Sequence, residues 1–381
     1  MKYASEFRDG ALARQVAAAI AADCQPGRSY TFMEFCGGHT HTIARYGLAD
    51  LLPEAVRLVH GPGCPVCVLP VGRIDTAVEL ARDHGVILCT YGDMVRVPGS
   101  GRVSLLKAKA AGADVRIVWS TLDALRLARE NPGRQVVFFA IGFETTTPPT
   151  ALALLQAKAE KLSNFSVFCN HVMTPPAMRA ILADDAATPL QGIVAPGHVS
   201  TVIGTAPYAP FAAAGQAMVV AGFEPLDLLQ AIAMLVRQVN EGDPRVENAY
   251  VRALTAEGNP KARAVIAETM TLRPSFEWRG LGTLPDSALA IAEAFADFDA
   301  ERRFDVAYRA VPDPKSCACA DIVRGRKQPQ DCVLFGTACT PDSPIGSCMV
   351  SGEGACAAHW LYGRHRDPSS SSSSPQRSLS A

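Results

Sequence analysis

Short apolar segments, each ending in a turn that contains glycine, cysteine, histidine or glutamate, recur from residue 30 to residue 224. Between several of them, apolar residues recur at helical spacing, at residues 11–22, 43–52, 73–84 and 103–111. Alternating strands and helices are typical of a doubly wound parallel sheet. We therefore predict an α/β fold with strands at residues 30–35, 56–60, 86–90, 115–119, 136–141, 165–170, 192–196 and 218–221.

A polar break at residues 129–133 divides these strands into two series. A Gly-His pair followed by threonine and isoleucine occurs in each series, beginning at Gly38 and at Gly197. This repetition favours two similar α/β domains, at residues 1–130 and 131–225, that face one another. Short glycine turns also recur by chance in α/β chains, and that alternative stays open.

The strand pattern fades after Pro225. Amphipathic spacing predicts a helix over residues 227–242, and a second helix is predicted over residues 286–304. We expect a third domain at residues 226–366, mostly helical and irregular and rich in cysteine. The serine-rich tail at residues 367–381 is expected to be disordered.

Charge and composition narrow the class of protein. The 36 basic and 37 acidic residues nearly cancel, which argues against a nucleic-acid or membrane-surface partner. The chain start lacks the order of a signal peptide, and no apolar run is long enough to cross a bilayer, so we expect a cytoplasmic protein. In that reducing compartment the twelve cysteines favour metal ligands or redox thiols over structural disulfides. No nucleotide cofactor is expected, because neither a Walker loop nor a Gly-x-Gly-x-x-Gly fingerprint follows a strand.

Two glycine-rich loops near the amino end carry cysteines. Cys36 follows the first predicted strand, with His39 and His41 close behind two glycines that leave room for a bound group. Cys64 and Cys67 follow the second strand, and their spacing suits a redox pair or half of a metal site. Carboxyl ends of parallel strands collect ligands, so these loops predict a redox or iron-handling site. The alternative is that these cysteines only fill space in their turns.

Six of the twelve cysteines cluster near the carboxyl end, among glycine and proline turns with little apolar sequence. A metal centre can replace missing hydrophobic burial in such a segment. The wide, irregular spacing favours a four-cysteine iron-sulfur cluster. Zinc or unligated cysteines remain the alternative, and at least two of the six are not ligands. They are Cys317, Cys319, Cys332, Cys339, Cys348 and Cys356.

Glu144 follows another predicted strand and precedes three threonines. Its carboxylate is interpreted either as part of a helix amino-terminal cap or as a group that faces the cysteine site. His171 and His198 also follow strands, and each alone is interpreted as a hydrogen-bonded turn residue.

Several motifs occur together in this chain. They are Phe-Cys-Gly-Gly-His-Thr-His at 35–41, Gly-Pro-Gly-Cys-Pro-Val-Cys at 61–67, Gly-Phe-Glu-Thr-Thr-Thr-Pro at 142–148, and cysteine motifs at 331–341 and 351–356. The combination closely resembles the HypD family of hydrogenase maturation proteins, from about residue 7 to residue 362.

The resemblance implies a scaffold for building the iron-dicyano-carbonyl group of [NiFe]-hydrogenases. It also implies two Rossmann-like domains around a cleft and a third domain that carries a [4Fe-4S] cluster. A HypC-type chaperone and a HypE-type cyanide donor are the implied partners. Such a protein is a maturation scaffold with thiol redox activity rather than a conventional turnover enzyme. The competing function is an autonomous thiol-disulfide oxidoreductase linked to the cluster.

The resemblance also implies a role for individual residues. Cys36 would bind the iron together with a cysteine of the chaperone, with His39 close by. Cys64 and Cys67 would be the thiol pair that exchanges electrons with the cluster. Cys317 remains an alternative to Cys319, because Ala320 stands where the family usually has glycine, and Cys348 is not expected to be a ligand. The implied cluster ligands are Cys319, Cys332, Cys339 and Cys356.

Overall fold

The structure is a computed structural model that describes residues 5–184 and 189–363. The predicted disordered tail at residues 367–381 lies outside the described residues. The strands are β1 (Tyr30–Glu34), β2 (Val56–His60), β3 (Ile87–Thr90), β4 (Val115–Ile117), β5 (Val136–Gly142), β6 (Phe165–His171), β7 (Gly192–Ala195), β8 (Ala217–Val220), β9 (Val246–Asn248), β10 (Met270–Leu272), β11 (Ser275–Trp278), β12 (Gly282–Pro285) and β13 (Leu289–Ile291).

Most of the helices connect these strands. They are α1 (Gly10–Asp23), α2 (Gly37–Tyr46), α3 (Leu48–Leu51), α4 (Pro65–Val68), α5 (Val71–Arg82), α6 (Leu105–Ala110), α7 (Thr121–Glu130), α8 (Thr147–Ala159), α9 (Thr174–Leu182), α10 (Gly197–Ile203), α11 (Ala209–Ala213), α12 (Pro225–Glu241), α13 (Pro260–Thr269), α14 (Ala300–Arg303), α15 (Cys319–Val323) and α16 (Ala355–Ala358). Among the described residues, none of these helices combines the length and apolarity that a membrane span requires.

Two parallel sheets organise the molecule. A five-stranded sheet has the order β2-β1-β7-β8-β9, and a four-stranded sheet has the order β4-β3-β5-β6. Every neighbouring pair in both sheets runs parallel. The predicted α/β class with parallel strands is therefore confirmed.

The two sheets divide the strands differently from the expected ranges 1–130 and 131–225. β1 pairs with β7, so Phe32 lies beside Gly192. β3 pairs with β5, so Ile87 lies beside Val136. Each sheet thus takes strands from both series. Apolar periodicity marks a strand but not its neighbour, because long crossovers can carry a parallel strand to either sheet.

The region after α12 is less helical than predicted. Where a helix was predicted over residues 286–304, the chain forms β13, a 3₁₀ helix at Glu293–Phe298 and the short α14. β13 pairs antiparallel with β10, and β11 pairs antiparallel with β12. Leu289 and Ile291 are buried on one side of β13. The helix prediction was wrong because alanines favour helix locally, while pairing with β10 decides the backbone.

A buried charge network ties the carboxyl-terminal region to the four-stranded sheet. Glu301 of α14 accepts hydrogen bonds from Arg73 of α5, at 2.5 Å, and from Arg273. Arg73 is buried, and its guanidinium lies over the rings of Phe168 and Tyr308. Burial alone would raise the pKa of Glu301, but the two arginines lower it below its ordinary value.

Replacing Glu301 with glutamine should lower the free energy of unfolding at pH 7 by about 3 to 5 kcal/mol, because the buried guanidinium of Arg73 and the partly buried one of Arg273 lose their carboxylate. A carboxylate whose pKa is depressed in the folded state stabilises the folded protein at pH values above its unfolded-state pKa. This stabilisation is lost as the pH falls through the folded-state pKa. The difference in unfolding free energy between the variant and the original chain should therefore become smaller at acidic pH. Denaturant unfolding at pH 7 and at acidic pH measures both effects.

The control is Glu160→Gln, which removes an exposed ion pair with Arg129. That substitution should cost much less, because solvent screens the pair. Equal losses in the two variants would contradict the role assigned to Glu301.

Candidate functional site

The two amino-terminal cysteine loops are in backbone contact at one edge of the five-stranded sheet. Cys36 lies between β1 and α2, and Cys64 lies between β2 and α4. The N–H of Gly37 donates to the carbonyl of Gly63 at 3.1 Å. A Cβ atom on Gly63 would lie 2.5 Å from the backbone nitrogen of Cys36, so only glycine fits there. The loops that the sequence predicts at neighbouring strand ends are thus brought together.

Glu34, the last residue of β1, holds these loops in place. Its buried carboxylate accepts the N–H of Cys36 at 3.0 Å and the Nδ1–H of His60 at 2.8 Å. It also accepts the hydroxyl of Thr40 in α2. One carboxylate therefore joins β1, β2 and the helix that follows Cys36. Sequence reasoning missed Glu34, because its position inside a strand resembles an ordinary strand residue.

His198 is the ring that approaches the Cys36 thiol, with Nδ1 3.6 Å from Sγ. It follows β7, the strand beside β1, and stacks on Phe223 at 3.8 Å between ring centroids. Burial lowers the pKa of His198, which favours the neutral ring. The sequence interpretation of His198 as an isolated turn residue missed this contact. The signal was the Gly-His pair repeated at Gly38 and Gly197, which β1 and β7 bring side by side.

His39 is buried near Cys36 but makes a different contact. Its Nε2 lies 3.2 Å from the carbonyl oxygen of Ala221. A carbonyl only accepts, so Nε2 carries the proton, and Nδ1 is left without a hydrogen-bond partner among the described residues. Burial lowers the pKa of His39 to about 3. His39 is therefore a neutral ring that supports the loop.

The Cys36 thiol lies in an environment that disfavours a bare thiolate. Burial raises its pKa to about 12, and the carboxylate of Glu353 adds to the rise. Glu353 packs against the first turn of α2, since a Cβ on Gly37 would lie 2.4 Å from the Cβ of Glu353. Burial also raises the pKa of Glu353. A bound metal cation would favour the thiolate instead, because coordination lowers the pKa of a thiol, which then loses its proton.

Cys64 and Cys67 are paired as a disulfide at the start of α4, with 5.3 Å between their Cα atoms. The hydroxyl of Ser347 donates to the carbonyl of Cys67 at 3.0 Å. Cys64 and Cys67 lie close to Cys319 and Cys348. The predicted thiol pair therefore adjoins the carboxyl-terminal cysteines.

The carboxyl-terminal cysteines surround a small enclosed cavity. The Cys317 and Cys319 thiols lie beside one another, since a Cβ on Gly346 would lie 2.5 Å from one Sγ and 2.6 Å from the other. Cys348 is fully buried but does not line the cavity. The cysteines that do line it are Cys317, Cys319, Cys332, Cys339 and Cys356.

The donor set of this cavity fits an iron-sulfur cluster. Four cysteines are the usual ligands of such a cluster. The expected ligands Cys319, Cys332, Cys339 and Cys356 all line the cavity, as does the alternative Cys317.

Glu144 is buried after β5 but does not cap the helix that follows it. Its carboxylate accepts the N–H and the hydroxyl of Thr174, the first residue of α9, each at 2.9 Å. Burial raises its pKa to about 7. Glu144 thus serves the amino end of α9.

An open cleft of about 530 Å³ lies beside these loops. Tyr91, Trp119 and Gly142, at the carboxyl ends of strands in the four-stranded sheet, line one side. Val66 of α4 and Glu353 line the other. Trp119 is 93% exposed, so a large apolar side chain stands at the cleft edge.

Gly63→Ala should lower the free energy of unfolding by about 1 to 3 kcal/mol, because the new methyl group would push the backbone of Cys36 away. Gly133→Ala is the matched control, since a Cβ there meets no heavy atom within 4 Å. Denaturant unfolding of both variants measures the difference. Equal stability of the two would show that the loop contact tolerates a side chain.

The chain is similar to known proteins over most of its length. Residues 11–363 match the family model described as "HypD: Hydrogenase formation hypA family". The hydrogenase maturation factor HypD of Azotobacter vinelandii is 64% identical over 96% of this chain and 98% of its own length. The factors named HypD from Cupriavidus necator and Escherichia coli are 60% and 50% identical, over 96% and 88% of this chain and 98% and 90% of their own lengths. The chain belongs to the HypD family of hydrogenase maturation factors.

Proposed function

We propose that this protein is the scaffold on which the iron-dicyano-carbonyl group of [NiFe]-hydrogenases is assembled. The observation that carries the proposal is the contiguity of three cysteine centres. The Cys36 loop contacts the Cys64 loop through Gly63, and the Cys64–Cys67 pair adjoins Cys319 and Cys348. A scaffold that must hold iron and supply it with electrons needs these centres side by side.

Cys36 is the proposed iron ligand of this chain. Low-spin iron that carries cyanide and carbonyl favours a soft thiolate ligand. The Nδ1 atom of His198 lies 3.6 Å from Sγ and can accept the thiol proton as iron binds. His39 lines the same loop with a neutral ring. We infer that a cysteine of a HypC-type chaperone completes the coordination.

Cys319, Cys332, Cys339 and Cys356 are the proposed ligands of a [4Fe-4S] cluster. Such a cluster, when bound, supplies electrons one at a time. Reduction of the Cys64–Cys67 disulfide consumes two electrons and two protons and yields two thiols. Cys319 and Cys348 lie close to the disulfide, so the path for those electrons from the cluster is short.

The open cleft is the proposed docking region for the partners. Exposed Trp119 at its edge offers apolar area to a chaperone of the HypC type. We infer that the carboxyl of Glu144, with a pKa of about 7, exchanges protons near the iron site. Cyanide would arrive from a HypE-type donor. Ten free cysteines among the described residues fit the cytoplasm as the proposed location.

An autonomous thiol-disulfide oxidoreductase is the second candidate. The disulfide beside further buried thiols favours it, since such pairs exchange electrons without any iron substrate. Dependence on Cys36 separates the two functions, because an oxidoreductase needs no iron ligand there.

Cys36→Ala should abolish the cyanide and carbonyl infrared bands of protein purified anaerobically with its chaperone, since iron loses its thiolate. Cluster absorption and the fold should persist. Cys24→Ala is the control, because this half-buried cysteine ends α1 away from the loops. Bands of full intensity in Cys36→Ala would move the assignment to the oxidoreductase.

Cys332→Ala should bleach the visible absorption of the cluster and reduce bound iron and sulfide, because one of four ligands is lost. Cys348→Ala should leave both unchanged, since Cys348 does not line the cavity. Cys317→Ala and Cys319→Ala, compared in the same way, identify which of that pair is the ligand. Unchanged absorption in Cys332→Ala would remove this residue from the ligand set.

A further inference from the structure

The turn between β11 and β12 contacts both cysteine-bearing helices. The N–H of Arg279 donates to the carbonyl of Val68, the last residue of α4, at 2.7 Å. A Cβ on Gly280 would lie 3.0 Å from the Cα of Ala320 in α15. Nε of Arg324 donates to the carbonyl of Gly280 at 2.6 Å. The turn therefore bridges the disulfide helix and the helix that begins with Cys319.

The side chain of Arg279 is a buried cation beside the cysteines. It is 5% exposed and lines a cavity of about 390 Å³ together with Cys317 and Cys319. Its Nε lies 3.0 Å from the carboxylate of Asp313, whose side chain is 36% exposed. Both Nε and Nη2 are buried without a hydrogen-bond partner among the described residues. The carboxylate of Asp313 thus offsets the charge of this guanidinium beside Nε, while Nη2 has no acceptor among the described residues.

A guanidinium keeps its charge in any protein, so burial with an unpartnered N–H group is costly. Sulfur ligands of a cluster would supply the missing acceptors and negative charge. Arg279 shares its cavity with Cys317 and Cys319 and is thus within electrostatic range of both thiols.

We propose that Arg279 is a positioning residue that raises the reduction potential of the cluster. The inference rests on the proposed function, in which the neighbouring small cavity, lined by Cys317, Cys319, Cys332, Cys339 and Cys356, holds a four-cysteine cluster. Adding an electron makes the cluster and its thiolates more negative, and a nearby buried cation stabilises that state more than the oxidised one. Net charge and hydrogen bonds to sulfur are the main determinants of cluster potential. The negative charge of Asp313, which is partly exposed to solvent, offsets part of the positive charge of Arg279 and so lowers the potential.

The test measures the midpoint potential of the cluster in the full chain. The method is an anaerobic redox titration monitored by electron paramagnetic resonance. Arg279→Met should lower the potential by at least 59 mV, which is a tenfold change in the one-electron equilibrium constant. Arg279→Lys should retain most of the original value, since the charge remains. Asp313→Asn should shift the potential upward. Circular dichroism and iron and sulfide content establish that each variant is folded and loaded.

The matched control is Arg102→Met, because Arg102 lines the same cavity but is exposed and donates to Ser343. Its potential should equal that of the original chain, because solvent screens its charge. A purely structural role for Arg279 predicts altered stability with unchanged potential, and that result would overturn the proposal. If Arg279→Met does not retain the cluster, an unchanged potential in Asp313→Asn would overturn it equally. Absence of a cluster from the original chain would instead refute the proposed function.

Discussion

The buried carboxylate of Glu34 accepts the hydrogen bonds on which the site depends. It accepts hydrogen bonds from the backbone of Cys36, from Thr40 and from His60, and thereby connects two strands and one helix. A buried carboxylate is stable only when such donors surround it, so the three elements are held in one arrangement. That arrangement leaves Gly37 and Gly63 in backbone contact. The thiol of Cys36 is consequently presented at the sheet edge by a rigid support.

The carboxyl-terminal region is attached to this edge by a few specific contacts. Ser347 binds the carbonyl of Cys67, Arg279 binds the carbonyl of Val68, and Arg96 donates to the carbonyl of Val350 at 2.9 Å. Each contact joins a cysteine-bearing segment to an element of the α/β body. The closeness of the two groups of cysteines thus follows from hydrogen bonds to backbone carbonyls. The ion pair of Glu301 with Arg73 adds a further attachment of this region to the α/β body.

Much of the site could be predicted because its signals are local. The apolar runs before Cys36 and Cys64 identify strands, and the glycines beside them identify loops that come close to another group. His198 could not be assigned in this way, since its role depends on β7 lying beside β1. Glu144 was placed correctly after a strand, but its partner Thr174 begins a helix thirty positions later in the chain. The strand at residues 289–291 escaped prediction because Ala290 and the flanking Ala288 and Ala292 favour helix until β10 pairs with the strand.

The amino-acid sequence by itself determined the parallel α/β class, the loops that carry the cysteines, and the family to which the chain belongs. These depend on periodicity, glycine and short motifs, which act over a few neighbouring residues. Only the tertiary structure decided which strands share a sheet, that His198 and not His39 approaches Cys36, and that Arg279 is buried beside Cys317 and Cys319. Such juxtapositions join residues far apart in the chain, and crossover topology and side-chain packing, rather than local preference, determine them.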